Sequence, residues 1–144
     1  MSEPIVVTHD GGMRFSAQVR SHVVATDQIE RVGGTDTAPS PIELLGASLG
    51  SCIAFYVQQF CETRRLPYEG LRVEVEQLSV KNPSRVCKFT VRVVMPSELP
   101  KGYSEMLERV VRSCPAHNTL SGGAEVETQL IIPATIGGPR STDP

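Results

Sequence analysis

A chain of 144 residues and 15.6 kDa matches one domain on the usual scale of about 100–200 residues and is long enough to enclose a core. A net charge of -2 and a pI near 5.9 leave no basic footprint. No Lys/Arg cluster is interleaved with aromatics, which argues against nucleic acid as a partner. The opening MSEPIVVTHDGG has no basic segment, apolar run or small-residue cleavage site of a secretory leader. A cytoplasmic location is therefore expected, where four cysteines serve as thiols, metal ligands or redox centres rather than permanent staples.

In chain order, Ile5 to Thr8 is a short β-branched run, and His9-Asp10-Gly11-Gly12 is a turn, so the chain is expected to open with a hairpin. Met13 to Ser21 alternates, with Met13, Phe15, Ala17 and Val19 on one side and Arg14, Ser16, Gln18 and Arg20 on the other, as in a half-buried strand. His22 to Thr26 continues as a strand. Asp27 to Ala38, with Gly33-Gly34, is a flexible loop leading to a helix, and loops of this length in compact domains are commonly functional. Ser40, Pro41 and Glu43 make a helix start: a capping hydroxyl, a proline at the first helical position, and the glutamate that completes a capping box. The helix runs from Ser40 to Leu66, carries no charge between Glu43 and Gln58, and so belongs in a core. That uncharged run is shorter than the roughly 20 residues of a bilayer span, and no membrane is expected as a partner.

Pro67 to Gly70 ends the helix. Leu71 to Val80 alternates as a strand whose phase slips near Gln77, suiting a bulge. Lys81 to Ser84 turns the chain, and Val86 to Met95 returns with Cys87, Phe89, Val91 and Val93 on one face. Tyr103, Met106, Leu107, Val110 and Val111 fall at helical spacing, with Cys114 eleven residues after Tyr103 on the same stripe. Pro115 to Leu120 forms a further helical turn, and Val126, Thr128, Leu130 and Ile132 alternate in a last strand. The order of elements gives an α+β fold with helices packed on one side of antiparallel sheet. One domain spans 1–138, and 139–144 form a mobile tail.

The cysteines divide by position. Cys52 and Cys61 are nine apart on one helix, about 13.5 Å along its axis, beyond the about 4.4–6.8 Å between Cα atoms that a disulfide needs. Cys87 reads as a small buried hydrophobe and Cys61 as an incidental thiol among polar neighbours. Cys52 and Cys114 both point toward the core. Activation of a thiol near pKa 8.5 calls for a cation or helix N-terminus. Cys52 lies too deep in its helix to use its own dipole, so the cation must be an arginine from elsewhere: Arg14, Arg20 or Arg31.

The run PSPIELLGASLGSC ending at Cys52, followed some sixty residues later by CPAHNTL from Cys114, resembles the OsmC/Ohr family, the osmotically inducible and organic hydroperoxide resistance proteins. The resemblance covers most of the chain. It implies an intertwined homodimer in which sheet from both chains wraps two long central helices, with active sites at the dimer interface. It also implies reduction of organic hydroperoxides, with Cys52 as attacking thiol, Cys114 as resolving thiol and an external dithiol as reductant. Arg14 is the nearest match to the activating arginine, with Arg20 and Arg31 behind it. The family's catalytic glutamate stands ten positions before the cysteine in the hydroperoxide branch, where this chain has Ile42. Glu43 is nine before Cys52, on the opposite side of the helix, so its role is either catalytic or that of a cap.

Two classes of function follow. One is a thiol-dependent peroxidase without cofactor or metal, with a pocket lined by residues such as Leu45, Leu49 and Phe55. The alternative is a non-catalytic dimeric module that holds an apolar small molecule while the thiols only pack. His117, three after Cys114, invites a thiolate-metal site, but a zinc site needs three or four ligands, and His9 and His22 lie on unrelated segments.

Overall fold

A computed structural model describes residues 2–133; the expected tail at 139–144 lies outside them. The described residues form strands β1 (Val6–His9), β2 (Phe15–Val19) and β3 (His22–Thr26), a 3-10 turn (Glu30–Val32), helix α1 (Pro41–Thr63), strands β4 (Arg72–Val80) and β5 (Arg85–Val94), and helices α2 (Tyr103–Arg112) and α3 (Pro115–Gly122). The α+β fold class stands. Its antiparallel sheet comes in two parts: a β1-β2-β3 meander and a β4-β5 hairpin.

Helix α1 starts where its cap dictates. The Ser40 hydroxyl accepts the Glu43 N–H at 3.3 Å, and Glu43 Oε2 accepts the Ser40 N–H at 2.8 Å, so both halves of the capping box are made. It stops at Thr63 rather than Leu66. There Arg65 turns into the left-handed region at φ 55° and the Leu66 N–H returns to the Cys61 carbonyl at 2.9 Å, which closes the last turn. At 23 residues α1 is longer than its uncharged stretch and is, by length and composition, long and apolar enough to cross a membrane. Here one face of it is covered by β4, β5, α2 and α3.

That face holds Gly46, Leu49, Gly50, Ile53, Val57, Phe60 and Cys61, at the spacing of a single helical stripe. The two glycines let β4 come close. A Cβ on Gly50 would lie 3.0 Å from Val75 Cγ2, and one on Gly46 would lie 2.6 Å from Gln77 Nε2, the nitrogen that donates to the Ile42 carbonyl at 2.8 Å. The expectation of a helix enclosed all round is not met within one chain. Leu45 is exposed and Phe55 is 53 % exposed, because the packed elements cover only one side.

The β4-β5 hairpin shifts register between Leu78 and Ser79, one residue beyond the expected slip at Gln77. The bulge re-aims Cys87: its thiol donates to the Leu78 carbonyl at 3.4 Å and is exposed, not buried as the alternation implied. Cys61, expected as an incidental thiol in polar surroundings, is instead wholly buried, and burial raises its thiol pKa.

The β1-β2-β3 meander packs strand on strand, with both faces open; Val7 is 60 % exposed. Residues Val126 to Ile132, expected as a last strand, belong to no sheet, and Ile131 is 89 % exposed. A strand needs an edge to take up its N–H and C=O groups, and among the described residues the segment pairs with none. Gly50→Leu should lower stability by about 1–3 kcal/mol through overpacking against Val75, read from the denaturation midpoint.

Candidate thiol site

Cys114 does not continue α2. That helix ends at Arg112, and Cys114 is the N-cap of α3, with Pro115 at the first helical position. The break still turns its thiol inward: Cys114 is 0 % exposed, while Cys52 is half-buried against the same core. Cys52 is a near neighbour of the Cys114 thiol, close enough to bear on its ionisation. Burial, then the neighbouring Cys52 thiol, raise the Cys114 pKa, while the backbone N–H groups of His117 and Ala116 pull the other way. Cys114 is thus held as a thiol beside Cys52. Both cysteines are unbridged, and continuous α1 separates Cys52 from Cys61 as expected.

On α1, Cys52 shares its side of the helix with Leu45, Ser48 and Phe55, seven, four and three residues away. These open onto the uncovered face. Next to it, an open groove of about 770 Å³ runs between α1, β5, α2 and α3, with Leu45, Leu49, Ile53, Phe89 and Val111 on its apolar walls and Arg85, Lys88, Arg112 and His117 among its polar lining. Leu45 and Leu49 were expected there; Phe55 does not line it. The His117 ring lies 3.5 Å from the Ser121 hydroxyl, and no group of three or more metal-ligating side chains occurs among the described residues.

The remaining expected residues lie elsewhere. Glu43 is exposed and spends its carboxylate on the Ser40 N–H and hydroxyl, whose hydrogen bonds lower its pKa. Arg20 occupies the two-residue turn between β2 and β3 at φ 54°, and Arg31 is exposed on the 3-10 turn. Arg14 sits one residue before β2, opposite the end of β3, where Phe15 pairs with Thr26. It donates to the Thr37 hydroxyl. Met13, Phe15 and Pro41 share one pocket, so this end of the meander meets the start of α1. Cys52 lies eleven residues farther on, roughly 16 Å along the axis.

The sequence reading missed Asp27. It is 1 % exposed and gathers the whole loop that follows. Its Oδ2 accepts the Thr35 hydroxyl at 2.7 Å, the Thr37 hydroxyl at 2.8 Å and the Thr37 N–H at 3.1 Å; Oδ1 accepts the Gln28 N–H at 2.8 Å. The Thr35 hydroxyl and then the Thr37 N–H hold its pKa far below the usual carboxylate range, against the opposing effect of burial. The loop expected to be flexible is closed on itself: a Cβ on Gly34 would lie 1.8 Å from the Gln28 carbonyl oxygen. The legible signal was the aspartate with threonines eight and ten residues later.

A family model described as OsmC-like protein matches residues 34–129, and the chain belongs to this family. Among solved structures, a protein from Psychrobacter arcticus 273-4, provisionally assigned to osmotic stress induction and detoxification response, is similar at TM-score 0.74 and 24 % identity over 80 % of this chain and 85 % of that one. The organic hydroperoxide resistance protein OsmC of Legionella pneumophila is similar at TM-score 0.57 and 16 % identity, covering 83 % of this chain and 90 % of its own. A provisionally assigned organic hydroperoxide resistance protein of Vibrio cholerae, with captopril bound in one of its active sites, is similar at TM-score 0.54 and 16 % identity over 83 % and 85 %. At these identities the likeness is one of fold. No curated protein matches the chain.

Asp27 has a lowered folded pKa, so its contribution to stability is present above the unfolded value of about 3.9 and is lost as pH falls through the folded one. Melting temperatures taken between pH 7 and pH 2 should therefore drop more steeply for the parent than for Asp27→Asn.

Proposed function

We propose that the protein is a thiol peroxidase that reduces organic hydroperoxides through Cys52 and Cys114. The observation that carries this reading is two unbridged thiols, Cys52 and Cys114, packed on the same core cluster next to a groove walled by Leu49 and Ile53. Cys52, as thiolate, attacks the distal peroxide oxygen. The O–O bond breaks, the alkoxide leaves as alcohol after taking a proton, and Cys52 becomes a sulfenic acid. The Cys114 sulfur then displaces hydroxide from the Cys52 sulfur; with the thiol proton this leaves as water, and a disulfide forms. An external dithiol restores both thiols by exchange. Burial of Cys114 suits the second role: held as a thiol, it leaves the more accessible Cys52 to meet the peroxide.

The working form is a homodimer. The open side of α1, the unpaired segment from Val126 to Ile132 and the two open faces of the meander are surfaces that a second copy would cover. Arg14 sits near the start of α1, about three turns from the Cys52 of its own chain. Antiparallel packing of two α1 helices would bring Arg14 of one copy toward Cys52 of the other, where a guanidinium stabilises the thiolate. Glu43 acts as a cap. Cytoplasmic location fits a dithiol that must be re-reduced.

The groove also favours a second reading, a module that holds an apolar small molecule without turnover; captopril in the Vibrio cholerae protein shows a small organic molecule in an active site of that protein. One experiment separates the two. Cumene hydroperoxide added to the reduced protein should produce a Cys52–Cys114 linked peptide by mass spectrometry, and Cys52→Ser should abolish peroxide consumption. Consumption at the parental rate by Cys52→Ser would rule the peroxidase out.

A further inference from the structure

Resting on the peroxidase reading, we infer that Asp27 and Thr37 are positioning residues for Arg14, a relay that fixes the guanidinium before it meets a thiolate. Proton inventory sets the direction of this chain. An ionised carboxylate only accepts hydrogen bonds and a guanidinium only donates them, whereas a hydroxyl has a single proton to give. Thr37 gives that proton to Asp27 Oδ2 at 2.8 Å, which leaves its oxygen as an acceptor. The Arg14 Nη1 donates to that same oxygen. The order is Arg14 to Thr37 to Asp27, and reversal would leave a donor facing a donor.

Four further features fix the relay in place. The Thr37 backbone N–H also binds Asp27 Oδ2, at 3.1 Å, so the threonine is held at two points. The Asp27 N–H donates to the Pro39 carbonyl at 3.2 Å, tying the aspartate to the residue that precedes the Ser40 cap. Gly34 packs where no side chain fits, against the Gln28 carbonyl. The ladder sets Arg14 beside the loop, since it precedes the Phe15–Thr26 pair just as Asp27 follows it. The ion pairs among the described residues are Arg72–Glu74 and Arg92–Glu76. Arg14 is in neither, so it is aimed by a neutral hydroxyl and its charge is not spent on a touching carboxylate.

The test uses Asp27→Asn, Thr37→Val, Thr37→Ser and Arg14→Ala in the full chain. Three quantities are read: the rate of cumene hydroperoxide consumption, the pH midpoint of Cys52 alkylation by iodoacetamide from its own peptide, and the melting temperature. Thr37→Val and Asp27→Asn should slow turnover on the order of ten- to a hundredfold, the scale of a misplaced catalytic group, and move the alkylation midpoint upward. Thr37→Ser, which keeps the hydroxyl, should behave as the parent. If Asp27→Asn does not fold, the Thr37→Val and Thr37→Ser pair decides alone. A folded Thr37→Val with the parental midpoint and rate, while Arg14→Ala loses both, would overturn the relay and leave the peroxidase standing. An unchanged midpoint in Arg14→Ala would overturn it as well. Parental consumption by Cys52→Ser strikes at the peroxidase itself.

Discussion

The close seating of α1 on β4 is the constraint on which the rest of the structure depends. Gly46 and Gly50 remove the side chains that would hold strand and helix apart, and Leu49, Ile53 and Val57 then fill the space between α1 and its neighbours. Once this face is fixed, the angular position of Cys52 on the helix is fixed too. It falls at the margin between the covered side and the open one, where a thiol can both touch a buried partner and meet a solute. The core thus sets the site through helical geometry rather than through a dedicated loop.

The second thiol arrives by a different route. The break between α2 and α3 at Ser113 and Cys114 turns the chain inward, so the cap of a short helix is buried beside Cys52. A cap residue with its sulfur in the core has two competing surroundings. Apolar packing favours the thiol, and the N–H groups of Ala116 and His117 favour the thiolate. Packing wins, and Cys114 keeps its proton. On the proposed peroxidase reading, the sulfur with access would react first and the enclosed sulfur would follow.

Much of this was legible in the residues. The start of α1 is written in Ser40, Pro41 and Glu43, and the amphipathic spacing from Tyr103 to Val111 announces α2. The two cysteine motifs name the family, which the match over residues 34–129 establishes. Other features were hidden for physical reasons. Cys87 read as buried because alternation assumes an unbroken ladder, and a register shift nearby undoes it. Cys61 read as incidental because its sequence neighbours are polar, although its helical stripe is not. The segment from Val126 to Ile132 has a strand's pattern, but pattern does not decide which edge, if any, a strand joins, and here it joins none of the described ones. Asp27 was passed over because a buried carboxylate that touches no cation directly is legible only when its threonine donors are seen folded back around it.

On the proposed reading a second copy would cover the open side of α1 and the unpaired segment from Val126 to Ile132, and the chemistry would turn on one couple of sulfurs. The most direct measurement is a thiol titration of the denatured protein before and after one equivalent of organic hydroperoxide. Four thiols per chain should fall to two in the parent, with both remaining thiols mapping to Cys61 and Cys87. A count that stays at four, or a loss drawn from Cys61 or Cys87, would contradict the Cys52–Cys114 couple.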